Sequence, residues 1–210
     1  MWQESWSRVR TGDITCDPRL ADKASDKRRG LTLIARLEPS VTERLGNMLK
    51  TLSGIESHQY YYPLEDIHLT ILSLFTATEN YGLHLERLDD YRNAVARALK
   101  SSRSFIVDSV GITLSRGAVM LQGFPRDATL NDLRDHLRSA LVRSDLGDSL
   151  DHGITWLLHI QLCYVLPVRY ECQSRFAQLL APFEVNFLAH RLLRLWSLCL
   201  TTGTCLRKTW

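Results

Sequence analysis

Asp66-Ile67-His68-Leu69-Thr70-Ile71-Leu72-Ser73-Leu74 is an apolar, β-prone run that carries a histidine and, two positions on, a threonine. Side chains alternate along a strand, so His68 and Thr70 share one face while Leu69 and Ile71 pack behind them. A second run, Trp156 to Leu166, repeats the setting around His159-Ile160-Gln161, with Ile160 and Leu162 behind. Polar groups set among Ile67, Leu72, Leu157, Leu158 and Val165 cost stability unless they are satisfied. With seven histidines in the chain, about one His-x-Ser/Thr match is expected by chance. The weight therefore rests on the matched strand setting of His68 and His159, which His58, His84, His136, His152 and His190 lack.

Working outward, Leu31 to Leu37 reads as a strand, and Pro39-Ser40 opens a helix with Val41, Leu45, Met48, Leu49 and Leu52 on one stripe. His58 to Tyr62 is an aromatic strand candidate, Pro63 to Asp66 a turn, and Ile67 to Phe75 the first histidine strand. A helix over Leu85 to Leu99 follows. Phe105 to Leu114 and Ala118 to Phe124 then form a hairpin about Ser115-Arg116-Gly117. Thr129 is the expected N-cap of a helix with Leu130, Leu133, Leu137 and Leu141 buried. The loop Asp145 to Gly153 leads to the second histidine strand, a short helix covers Arg175 to Leu180, and Phe183 to Leu200 with Cys205 to Lys208 closes a hairpin about Gly203. Strands outnumber helices and the order is not a regular β-α alternation. The expected class is α+β, with two antiparallel sheets facing a central cleft and helices on the outer faces. Residues 1–30 are polar and aperiodic and read as an extended lead-in to a single bilobal domain over 31–210.

Two facing strands of this kind bring two imidazoles and two hydrogen-bonding side chains to one cleft. Histidine titrates near neutrality, so one neutral imidazole can take a proton from an attacking hydroxyl while one imidazolium protonates the leaving oxygen. A threonine hydroxyl or glutamine amide can hold the non-bridging phosphate oxygens. That chemistry needs no metal or cofactor.

On these residues the chain resembles the 2H phosphoesterase superfamily, in particular its 2′-5′ RNA ligase-like and cyclic phosphodiesterase-like members. The resemblance runs from Arg29-Gly30-Leu31-Thr32-Leu33-Ile34-Ala35-Arg36, through Gln59-Tyr60-Tyr61-Tyr62-Pro63, to the His68 motif and on to the C-terminus. It implies a bilobal fold in which each lobe gives one His-x-Thr/Ser motif, and metal-free action on a 2′,3′-cyclic phosphate or 2′-5′ phosphodiester of a nucleotide or RNA end. His68 and His159 are then the catalytic pair, with Thr70 and Gln161 binding substrate. Gln161 departs from the usual Thr or Ser. It fits an active enzyme with altered phosphate geometry, a degenerate nucleotide- or RNA-binding module, or a second motif placed elsewhere, for which Asp151-His152 is the nearby alternative.

Other features constrain the function less. Tyr62, among three consecutive tyrosines, and Arg116, in the hairpin turn, are further substrate-binding candidates, set against plain roles in packing and turn formation. Trp156 either fills core or walls a base pocket. Arg97, Arg134, Arg138 and Arg143 have acids nearby and read as solvated helix faces. Cys163 is too far along its strand from His159 for direct contact, and the pair falls short of a zinc ligand set. The 26 basic and 23 acidic residues leave a net charge of +3, which permits a phosphate-bearing partner without requiring one. Beyond Glu184 the chain is locally basic, as a phosphate-contacting segment or a charged sheet edge would be. Five cysteines without a paired framework fit a reducing compartment. There is no apolar run long enough to span a membrane, so the expectation is a cytoplasmic protein without membrane association; a monomer is the expected oligomeric state. No P-loop, dinucleotide-binding glycine fingerprint or zinc-finger spacing occurs.

Overall fold

The computed structural model describes residues 7–8, 11, 13, 15, 25–115, 117–147, 158–164 and 196–201, the last two segments as backbone. Arg116, Asp151-His152, Trp156, the expected helix at Arg175 to Leu180 and most of the expected closing hairpin lie outside these residues.

Strand β1 (Arg29–Ala35) starts at Arg29 rather than Leu31. It leads into helix α1 (Pro39–Ile55), whose first turn holds the expected proline and whose buried stripe is Val41, Leu45, Met48, Leu49 and Leu52. Proline lacks an N–H and has φ preset for a helix, so it fits where the first amides have no intrahelical partner. The C-terminus of α1 fastens the next strand, because the Tyr61 hydroxyl donates to the Glu56 carbonyl at 2.8 Å. That strand, β2 (Tyr60–Tyr61), is shorter than the expected His58 to Tyr62. A 3-10 turn (Leu64–Asp66) follows, then β3 (Leu69–Thr78), which begins one residue after His68.

The single helix expected over Leu85 to Leu99 is two, α2 (Gly82–Glu86) and α3 (Leu88–Lys100). They part at Arg87, whose guanidinium donates to the Ser144 and Asp145 carbonyls at 2.9 and 2.6 Å. The hairpin forms as expected from β4 (Val107–Leu114) and β5 (Ala118–Pro125). In its turn the Ser115 hydroxyl accepts from the Ala118 amide at 3.0 Å. A Cβ at Gly117 would run into the Thr15 carbonyl, so Thr15 lies directly against this turn. Within β4 the register slips between Ser109 and Ile112, where Gly111 takes φ 68°, the left-handed region that glycine enters without a Cβ clash. Helix α4 (Thr129–Val142) buries Leu130, Leu133, Leu137 and Leu141 as expected. Thr129 is not its N-cap: Ala128 is, and the Thr129 amide donates to Asp127 Oδ1 at 2.9 Å.

Strands β6 (Leu158–Tyr164) and β7 (Trp196–Thr201) complete two antiparallel sheets, in the orders β3-β1-β7 and β2-β6-β5-β4. The fold is α+β, as the element order implied. One continuous apolar core joins Leu31, Leu33, Leu69 and Leu74 of the first sheet, Ile112, Leu114, Val119 and Leu121 of the second, and the inner stripes of α1, α3 and α4. Each fully buried leucine or isoleucine there contributes roughly 1.5–3 kcal/mol by leaving water. No helix among the described residues is long and apolar enough to cross a membrane.

Candidate functional site

The two histidine strands meet. Within the described residues β3 and β6, though in different sheets, come within 8 Å of each other, Cα to Cα. On β3, Leu69, Ile71 and Leu72 are buried while Thr70 is exposed, and His68, immediately before the strand rather than inside it as expected, is half-buried. On β6 the register sets His159 opposite Gln122 and Gln161 opposite Met120. Gln122 and Met120 are half-buried and alternate with the buried Val119 and Leu121.

His68 sits between the 3-10 turn and the first residue of β3, and that junction fixes its ring. Nδ1 lies 2.6 Å from the Asp66 carbonyl oxygen. A carbonyl can only accept, so Nδ1 carries the proton and in the neutral ring Nε2 is left with a free lone pair. Desolvation lowers the imidazole's pKa from 6.5 and outweighs the Asp66 carbonyl bond, which raises it; the positive charge of Arg36 lowers it further, and the Asp66 charge opposes. His68 is thus held as a neutral imidazole near neutral pH. Since Ala35 pairs with Leu69, Arg36 stands at the level of His68; it donates to the Glu65 carbonyl and so braces the turn that presents the histidine.

A pH dependence follows. The folded pKa lies below the unfolded one, so between that folded value and 6.5 the unfolded chain binds more protons, and stability falls as pH drops through this window. Denaturation midpoints measured from pH 7.5 to 5 should fall less steeply in His68→Gln than in the parent. Identical slopes would remove His68 from the account.

Tyr62 is half-buried, meets Tyr60 edge-on at 5.4 Å and packs against the core, so a structural use is already evident. Two arginines escaped sequence reasoning. Arg36 could have been found from the pairing of the two apolar strands, which sets the first polar residue after β1 beside the histidine. Arg134 does not lie on the solvated face expected of it: it is only 7% exposed, because its position on α4 falls within the leucine stripe. Its Nε donates to the Ile71 carbonyl at 2.9 Å and its Nη2 to the Thr70 carbonyl at 3.4 Å. Among the described residues no group of three or more His, Cys, Asp or Glu could hold a metal ion.

No protein-family model matches the sequence, and no curated protein resembles it in sequence. Solved structures do match. Escherichia coli LigT complexed with 3′-AMP superposes with a TM-score of 0.54 at 16% identity, covering 87% of this chain and 97% of LigT. A phosphoesterase superposes with a TM-score of 0.51 at 16% identity, covering 87% and 97%. The chain has the 2H phosphoesterase fold. A conserved protein of unknown function from Agrobacterium tumefaciens shares it, with a TM-score of 0.60 at 17% identity over 93% of each chain. Strand β3, which follows His68, and strand β6, which contains His159, belong to different sheets.

Proposed function

We propose that the protein is a metal-independent phosphoesterase acting on a 2′,3′-cyclic phosphate or 2′-5′ phosphodiester of a nucleotide or RNA end. The observation that carries this is the His68 junction, where a half-buried imidazole is locked by the Asp66 carbonyl with Nε2 left as a base, immediately before a strand that comes within 8 Å, Cα to Cα, of the His159 strand. LigT has been captured with 3′-AMP and with ATP, which supports a nucleotide as the ligand class.

In this account a neutral His68 takes the proton from the attacking water through Nε2. His159, protonated, gives its proton to the departing ribose oxygen, so one proton enters and one leaves the pair per turnover. Thr70 and Gln161 donate to the non-bridging oxygens, where charge builds up in the transition state. Burial chiefly, and the charge of Arg36 in addition, disfavour protonation of His68, and Arg36 would add positive potential where the phosphate binds. Hydrolysis of 2′,3′-cyclic AMP in excess EDTA tests the proposal: turnover undiminished by chelation is expected, and turnover that needs added metal contradicts it.

Gln161 favours one second function, a nucleotide- or RNA-binding module without turnover. Its amide is longer than a threonine hydroxyl and has no O–H to offer. Binding of 3′-AMP without hydrolysis of the cyclic substrate, together with activity appearing in Gln161→Thr, would establish that function instead.

A further inference from the structure

We infer that Arg134 is a positioning residue for the His68 motif, an assignment that rests on the phosphoesterase function proposed above for its catalytic consequence. Along the β1–β3 ladder, Leu33 pairs with Leu72 but Ile34 pairs with Thr70, so Ile71 has no opposite residue and β3 carries a bulge immediately after the motif. A bulge bends its strand and re-aims the neighbouring side chains. Here it lets Ile71 and Leu72 both enter the core while Thr70 stays on the open face. The extra residue of a bulge is left unpaired in the ladder, and a buried backbone carbonyl needs a partner. The Arg134 guanidinium supplies one, reaching from α4 to the Ile71 carbonyl with Nε and to the Thr70 carbonyl with Nη2. The planar fork serves two carbonyls one residue apart, which a lysine ammonium cannot match. A charged side chain inside an apolar stripe is costly. Helix α4 tolerates it at the one place where it clamps the strand bearing His68 and Thr70.

The test compares the parent with Arg134→Met, Arg134→Lys and Leu137→Ala, the last removing a buried contact of the same helix without touching β3 carbonyls. Because sub-ångström misplacement of reacting groups is expensive, Arg134→Met should lower kcat for 2′,3′-cyclic AMP by ~10²-fold with KM within ~3-fold, and Arg134→Lys should recover ~10-fold of the loss. Leu137→Ala should lose stability yet keep kcat within ~3-fold below its unfolding transition. Arg134→Met retaining parental kcat, or Leu137→Ala losing as much, would overturn the inference. Should Arg134→Met not fold, Arg134→Lys decides: reduced kcat at unchanged KM upholds the inference and parental kcat overturns it. Should the parent show no turnover, the phosphoesterase function fails separately. The inference then stands on amide exchange, with faster exchange at Ile71 and Leu72 and a shifted His68 titration in the Arg134 variants but not in Leu137→Ala. Unchanged exchange and titration would overturn it.

Discussion

Replacing either His68 or His159 with alanine is expected to lower turnover of 2′,3′-cyclic AMP by ~10²–10⁴-fold, while His58→Ala leaves it unchanged. His58 makes a useful control because its ring is largely solvent-exposed and paired with Glu56 at 3.1 Å. The two active variants should fail differently. The acid limb of the pH–rate profile reports the base, and the His68 pKa lies below 6.5, so that limb should begin below 6.5 in the parent. In His68→Ala the residual rate should lose this limb and keep the alkaline one, whereas His159→Ala should do the reverse. Initial rates across pH 4.5 to 9 check both points. Equal residual rates with an unaltered profile would mean that the two histidines do not divide acid and base work.

The largest stability effect is expected from Phe75→Ala, which should cost about 3–5 kcal/mol. Phe75 is fully buried near the end of β3, stacked on the His84 ring at 4.2 Å and 11° and tilted against Tyr91 at 5.8 Å. Its loss opens a cavity where β3 meets the α2–α3 segment, and the His84–Tyr91 pair, hydrogen-bonded at 3.0 Å, would have to give up that bond to collapse into it. Five positions separate Phe75 from Thr70, roughly 17 Å of extended strand, so turnover below the unfolding transition should survive. Urea denaturation followed by circular dichroism measures the cost. A loss under about 1 kcal/mol would show that this end of β3 is not anchored by the aromatic cluster.

The contrast between these two regions shows where the sequence was informative. Helices α1 and α4 were legible because leucine, valine and methionine recur at helical spacing and tertiary packing agrees with local pattern. The hairpin was legible from its Ser-x-Gly turn. The break between α2 and α3 was not, because it is enforced by Arg87 reaching carbonyls at the far end of α4, a contact with no local signature. The N-cap of α4 was misplaced by the ordinary ambiguity between Asp127 and Thr129, both competent to satisfy a first-turn amide. At the candidate site, the alternation of Leu69, Thr70 and Ile71 gave the faces correctly, yet the supporting shell was hidden. Arg134 looked like a surface arginine because periodicity places a residue on a face without revealing a bulged strand opposite it. The ring orientation of His68 was likewise out of reach, since it depends on a backbone carbonyl two residues away, in a turn whose geometry the side chains do not encode.

The central claim is that His68 and His159 share one phosphate. A crystal structure with 3′-AMP bound tests it most directly. The account predicts the phosphate held with oxygens about 2.6–3.2 Å from His68 Nε2 and from the His159 imidazole, with the Thr70 hydroxyl donating to a third oxygen. A phosphate bound elsewhere, or imidazoles standing more than about 10 Å apart around it, would contradict the account.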